Sequence, residues 1–340
     1  MNQFEYKKYL VETGIGLQKV DGLEPPSYVK ETLKSYYEKD SSLEEISDSI
    51  DQYFKKHKNE TKDREIESSI VALRIIDVLK DKSFVFSVGQ YLAIHKRLFE
   101  GIIDNAGKLR TYNIEKEEKV ICGHSVIYGD YRDLAMALEY DLNAERKYSY
   151  EDKTMDEIIE HLGTFVSNLW QIHPFGEGNT RTTSVFFIKY LRTLGFDVTN
   201  DAFSKNAKYF RNSLVRANYS NIRESIFSDN EYLTLFLRNL LLNENNVLDE
   251  ERIASPSILP KRMKREITLT AFEIDVLFLI KNSSHITSKS ICEITGKSLR
   301  TVKYALSSLQ SQNIIKRING KKYGHWEIID KGILPILKRR

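Results

Sequence analysis

The sequence predicts a mainly α protein with little β structure, built from successive helical segments and ending in a small helix-and-hairpin unit. Three observations carry this. Apolar residues recur at 3.6-residue spacing through most of the chain. β-Forming residues gather in only two short windows, 107–128 and 314–329. Proline-bearing breaks at 22–26 and 244–266 mark where the regular rhythm stops.

Residues 1–64 form an N-terminal helical arm. It is interrupted by Gly22-Leu23-Glu24-Pro25-Pro26, after which Ser27 starts a new helix. The arm reads either as a packed lead-in or as a regulatory segment. Residues 65–243 read as one compact helical domain. Ile66, Ile70, Leu73, Ile76 and Leu79 make a stripe over Glu65–Leu79, and 88–99 repeats it. From 107 to 128 the period changes: Tyr112, Ile114, Val120, Ile121, Val126 and Ile127 lie between glycine breakers and predict a β-hairpin. Helices follow over 155–172 and 182–194, the second ended by Gly195. Residues 244–266 read as a polar linker and 267–340 as a separate unit.

The 340 residues are 41% hydrophobic and 29% charged, the composition of an ordinary globular protein. No segment approaches the ~20 apolar residues of a membrane span, and the start is too polar for a signal peptide. Two isolated cysteines, Cys122 and Cys292, argue against a disulfide framework or a cysteine zinc site. A cytoplasmic protein is expected. The net charge of +3 divides unevenly: from Lys261 onward there are 17 Lys or Arg against 6 Asp or Glu, a net of +11, and the remainder carries −8.

Chemistry concentrates in residues 173–181, His-Pro-Phe-Gly-Glu-Gly-Asn-Thr-Arg, between two predicted helices. The second helix would turn its unpaired N–H groups toward this loop, a setting that binds anions. Gly176 and Gly178 allow close backbone approach. Asn179 can donate its amide, and Arg181 can fork onto phosphate oxygens. Glu177 is a hard oxygen ligand suited to Mg²⁺ on phosphates. His173 titrates near ~6.5 when unperturbed and is a candidate general base. A lone histidine beside a tryptophan, here Trp170, is usually structural, but the neighbouring Glu177, Gly178, Asn179 and Arg181 outweigh that reading. The loop lacks the lysine of a Walker A motif and the ligand count of a zinc site.

This stretch resembles the signature of the Fic family, HxFx(D/E)GNGRxxR, and the resemblance extends over roughly residues 65–243. It implies a helical bundle that transfers AMP from ATP to a protein hydroxyl and releases pyrophosphate. His173 would then deprotonate the attacking Ser, Thr or Tyr of a target, or of the chain itself. Glu177 would hold Mg²⁺, and Gly176, Gly178, Asn179, Thr180 and Arg181 would contact the phosphates. The segment from Thr111 to Tyr128, with Tyr112, Ile114, Val120 and Ile121, resembles the family's flap, which aligns the target chain. Thr180 departs from a glycine in the pattern. Ser184 replaces a second arginine that meets the γ-phosphate and partners an inhibitory glutamate. No [ST]xxxE[GN] inhibitory motif precedes the core, and the Asp21-Gly22 pair is only faintly similar to one. The motif alone does not separate AMP from phosphocholine transfer.

After the motif, Tyr209 and Asn212 are candidates to close over a nucleotide, with helix-surface hydrogen bonding as the alternative. His95 and His161 read as packed or surface residues. In the C-terminal unit, helices over 272–280, 287–294 and 298–309 precede two strands around Asn319-Gly320. That order makes a winged helix, similar to the winged helix-turn-helix domains of bacterial regulators. Lys297, Arg300, Lys303, Lys321 and Lys322 are its candidate DNA contacts, with a protein-interaction face as the alternative. Trp326 reads as a core anchor. A second function is therefore open, a DNA-binding regulator whose site senses nucleotide without catalysis. Homo-oligomerisation is open as well.

Overall fold

A computed structural model describes residues 1–58, 62–221, 226–253, 269–312, 314–318 and 324–329. The chain forms two compact units, 1–259 and 260–340. Lys321, Lys322 and the Asn319-Gly320 turn lie outside the described residues.

The first unit contains α1 (Gln3–Gly16), α2 (Ser27–Glu38), α3 (Leu43–Lys56), α4 (Asp63–Lys80), α5 (Val88–Phe99), α6 (Leu134–Lys147), α7 (Met155–Ile172), α8 (Asn179–Thr193), α9 (Ala202–Asn218), α10 (Glu231–Leu242) and the short α11 (Glu250–Ile253). Helix starts follow the chemistry of their caps. Ser42 and Glu45 form a reciprocal capping box at α3, and Thr154 and Glu157 form one at α7. Ser87 accepts from the Gln90 N–H at 3.1 Å to start α5.

At the centre lies α8, buried from Asn179 through Leu191, with α4, α5 and α7 against it. A helix apolar or closed all round can only be a core helix. The N-terminal arm is no separate body. Its α1 packs on α2, α4 and α9, and Tyr9, Leu10, Val29, Ile46 and Ile50 share one core with the rest of the unit. Gly16 permits this: a Cβ there would fall 2.5 Å from the backbone of Ser204 on α9. Within the stretch read as a polar linker from 244, α11 carries Ile253, which is fully buried in that same core, and residues 254–266 lie outside the described residues.

The hairpin expected over 107–128 is not a β-ladder. Among the described residues, that excursion contains only a 3₁₀ turn, Lys119–Ile121, closed by Cys122 at φ +56°. Glu118 N–H donates to His124 O at 3.0 Å, but Val120 and Ile121 drop together into the core. Two consecutive inward side chains break the period of two that a strand requires.

The second unit contains α12 (Ala271–Asn282), α13 (Ser288–Thr295), α14 (Leu299–Ser311), β1 (Ile315–Ile318) and β2 (His325–Ile328). The strands pair antiparallel, Ile315 opposite Ile328. Ser298 caps α14 through Thr301 N–H, as its position suggested. Val276, Ile291, Val302, Leu309 and Trp326 form the core, so the sequence assignment of Trp326 holds. Three helices and a paired β-ribbon are the winged-helix arrangement. Among the described residues, no helix is long and apolar enough to cross a membrane.

Candidate active site

The loop 173–178 joins the end of α7 to the start of α8. His173 ends α7 in the left-handed region (φ +49°, ψ +59°), its N–H bonded to Trp170 O at 3.1 Å. Gly178 begins α8 at φ +76°. A Cβ on Gly178 would lie 2.5 Å from the Phe99 ring, so neither the torsion nor the space admits a side chain. No side chain caps α8, which leaves its first-turn amides as an anion cradle.

His173 is 2% exposed. Its Nδ1 lies 3.2 Å from Trp170 O. A carbonyl only accepts, so Nδ1 carries the proton and Nε2 the lone pair in the neutral ring. Burial, with the charge of Lys116 second, pushes its pKa well below the usual histidine range. The ring is therefore a neutral base at pH 7. Tyr128 covers it, with ring centroids 4.2 Å apart.

Asn179 has a different part from the expected one. Its amide bonds both ways to Phe175, Oδ1 accepting from N–H at 3.0 Å and Nδ2 donating to O at 2.8 Å. The side chain thus staples the loop, using one of its two N–H donors to do so. Thr180 Oγ1 accepts from Trp170 Nε1 at 2.9 Å. Ser184 is fully buried and donates to Thr180 O.

Arg181 is fully buried and held by acidic and amide partners. Nη2 donates to Glu67 at 2.7 Å, Nη1 to Gln18 at 3.2 Å, and Phe99 lies beneath the guanidinium at 4.7 Å. The Asp21 carboxylate sits 2.8 Å from Nε, off the N–H axis, so that pairing is ionic rather than a directed hydrogen bond. In this arrangement Arg181 does not present its fork to a ligand. Arg64 bonds Glu67 at 3.0 Å and reaches Glu177 at 3.6 Å.

Glu177 has a half-exposed carboxylate and opens into an 820 Å³ cleft lined also by Gly176, Arg64, Glu67, His95, Lys108 and Tyr112. Among the described residues, no group of three or more His, Cys, Asp or Glu could hold a metal. A lone reachable carboxylate beside an anion cradle suits Mg²⁺ held mostly by phosphate and water.

Several positioning residues were not singled out from sequence. Arg110 donates to His173 O at 2.8 Å, to Tyr112 O at 2.5 Å and to Gly129 O, tying both ends of the excursion to the motif. His95, read as packed or surface, is a bridge. Its Nδ1 accepts from Gly107 N–H at 2.8 Å, so its Nε2–H donates to Glu177 O at 3.0 Å. Burial, outweighing that bond, pulls its pKa down to about 4. A histidine on the apolar face of Tyr91, Ile94 and Leu98 was the available signal. His161 bonds the buried Glu145 at 2.6 Å.

The remaining candidates separate. Tyr112 is exposed and lies against Gly176, and Ile114 is half-buried. Val120 and Ile121 are core residues and face no target. Tyr209 is 1% exposed, and its charged surroundings are Arg252, Glu231 and Asp249, with Tyr232 foremost. It is core, not a nucleotide lid. Asn212 is half-buried on α9. Two residues after Tyr209, on the other side of the helix, Arg211 pairs with buried Glu118 at 2.6 Å. In the second unit Lys297, Arg300 and Lys303 are all exposed, the latter two on α14.

Comparison with known proteins follows the same division. The Fic/DOC family model matches residues 85–191, and the model for winged helix-turn-helix DNA-binding domains matches 269–316. A protein of Sinorhizobium fredii named "Probable protein adenylyltransferase y4lH" is 25% identical over 153 residues, 45% of this chain and 75% of its own length. "Protein adenylyltransferase VbhT" of Bartonella schoenbuchensis is 23% identical over 182 residues, 53% of this chain and 35% of its own. A crystal structure of a Fic family protein from Desulfovibrio desulfuricans covers 96% of this chain and 88% of its own, with a TM-score of 0.38 and 12% identity.

Proposed function

From a chain whose residues 85–191 carry a Fic/DOC family domain, we propose a protein adenylyltransferase that moves AMP from ATP to a Ser, Thr or Tyr hydroxyl of a target protein. The relatives' names support the activity class. The observation that carries it is the histidine. Nδ1–H is tied to Trp170 O, which leaves the Nε2 lone pair as the ring's proton acceptor, on the loop that leads into the uncapped start of α8. The hydroxyl oxygen attacks the α-phosphorus as its proton passes to His173 Nε2. The bond to the β-phosphate oxygen breaks, and pyrophosphate leaves. The cradle amides of α8 stabilise the charge on the phosphate oxygens. Glu177 would hold Mg²⁺, which neutralises phosphate charge when bound. The reaction belongs to the cytoplasm, where ATP and Mg²⁺ are supplied.

Incubation with α-labelled ATP, Mg²⁺ and candidate targets tests this, with mass spectrometry for added AMP on the chain and on co-purifying proteins. His173→Ala should abolish labelling. Unchanged labelling by that variant, or none by the wild type, overturns the proposal.

The second unit supports an added role in DNA binding. Exposed Arg300 and Lys303 project from α14, the helix that enters the major groove in winged helices. Replacing both with Ala should weaken binding and flatten its salt slope by about 2, one per phosphate contact. An unaltered slope would assign this face to protein contacts.

A further inference from the structure

The arginines around the motif are committed, and Lys108 on the rim of the Glu177 cleft is exposed to solvent. Arg181 is bound by Glu67, Asp21 and Gln18. Arg64 is shared between Glu67 and Glu177, and Arg211 is paired with Glu118. Arg110 spends its donors on backbone carbonyls. Ser184 is neutral and its hydroxyl is given to Thr180 O. Lys116, half-buried on the excursion between Arg110 and Gly129, is different: among the described residues its ammonium makes neither ion pair nor hydrogen bond. Its backbone N–H is fixed across the excursion to Ser125 Oγ at 3.1 Å.

Lys116 lies on the segment whose Tyr128 covers His173, ring centroids 4.2 Å apart, and whose Tyr112 lies against Gly176. Lys116 is the foremost charge acting on His173. Asp21, Arg211, Glu177 and Glu118 in turn act on Lys116, and burial outweighs them to lower its pKa. A half-buried ammonium without a partner is costly to maintain, and it is the kind of point charge that phosphates neutralise.

We propose that Lys116 is a polyphosphate-binding residue of this site, supplying the positive charge that Ser184 lacks and that Arg181 has given to carboxylates. The proposal rests on the reading of the site as one that takes a nucleoside triphosphate, and it places a substrate contact on the segment assigned to target alignment.

Calorimetric titration of the full chain with ATP, tripolyphosphate and adenosine decides it, using wild type, Lys116→Met and Lys116→Arg. Loss of one charge-assisted contact should weaken ATP and tripolyphosphate about tenfold in Lys116→Met. Adenosine affinity should be unchanged, and Lys116→Arg should keep most of the wild-type affinity. Tripolyphosphate bound equally by Lys116→Met and wild type overturns the proposal. So does a proportional loss of adenosine, which marks general damage, or no tripolyphosphate binding by the wild type. The two readings fail separately. A wild type that binds tripolyphosphate through Lys116 but labels no target defeats only the transferase. A labelling Lys116→Met with unchanged KM for ATP defeats only Lys116.

Discussion

Glu67→Gln should raise nucleotide affinity while lowering stability. Arg181 cannot be held by Glu67 and Asp21 and also fork onto a phosphate. Glutamine keeps the size of Glu67 and an acceptor oxygen for Nη2, and removes the charge together with the oxygen that accepts from the exposed Arg64 at 3.0 Å. Breaking a buried ion pair outright costs about 3–5 kcal/mol, but here Asp21 remains 2.8 Å from Nε and still compensates the guanidinium. The cost is therefore nearer the difference between a charged and a neutral hydrogen bond, about 1 kcal/mol. For a unit of this size that lowers Tm by roughly 2–4 °C. The same ~1 kcal/mol, no longer spent on releasing Arg181, should tighten ATP binding about fivefold. Glu67→Ala, which removes the acceptor as well, should cost more stability. Differential scanning calorimetry and ATP titration on one preparation measure both quantities. A variant that lost stability with no gain in affinity would show that Arg181 is purely structural. A variant unchanged in both would show that the 2.7 Å contact does not persist in solution.

Two further outcomes follow from the site. Gly178→Ala combines a left-handed torsion costing about 1–2 kcal/mol with overpacking on Phe99 of about 1–3 kcal/mol, and should lower Tm by several degrees. Trimming the ring with Phe99→Leu should recover the second part only, and full recovery or no initial loss would contradict the geometry. His95, with its pKa pulled down to about 4 against about 6.5 unfolded, binds fewer protons folded than unfolded between those values. Its stabilising contribution is complete above pH 6.5 and is lost as pH falls toward 4, up to about 3 kcal/mol, with buried His173 acting in the same sense. Chemical denaturation across pH 4–7 reads this, and His95→Phe should flatten the profile; an equally steep profile in the variant would remove His95 as the cause.

What could be read from sequence was what neighbouring residues determine. The helical readings of Val88–Phe99 and Met155–Ile172 match to the residue, and Ser298 marked the start of α14, because a cap and its helix lie within four positions. The motif was legible because it is contiguous. Its partners were not. Arg181 meets Gln18 across 163 positions and Glu67 across 114, and no periodicity encodes such a meeting. The excursion misled for a related reason: Val120 and Ile121 have strand propensity, but a β-branched pair is equally suited to plugging a core, and packing decided between the two.

The sequence left the N-terminal segment as either a packed lead-in or a regulatory arm, and the structure dissolves that choice. The 3₁₀ turn Leu17–Asp21 packs on α8 and α9. The same turn supplies Gln18 and Asp21 to Arg181, and α4 supplies Glu67. The contact that completes the core is therefore the contact that withholds the arginine. Freeing Arg181 for a phosphate requires a new partner for both carboxylates, since displacing the turn from α8 removes Gln18 and Asp21 but leaves Glu67 of α4 in place. Gly22, left-handed at φ +68° with nothing within 4 Å of its would-be Cβ, marks the end of that turn as open to solvent and not wedged in the core.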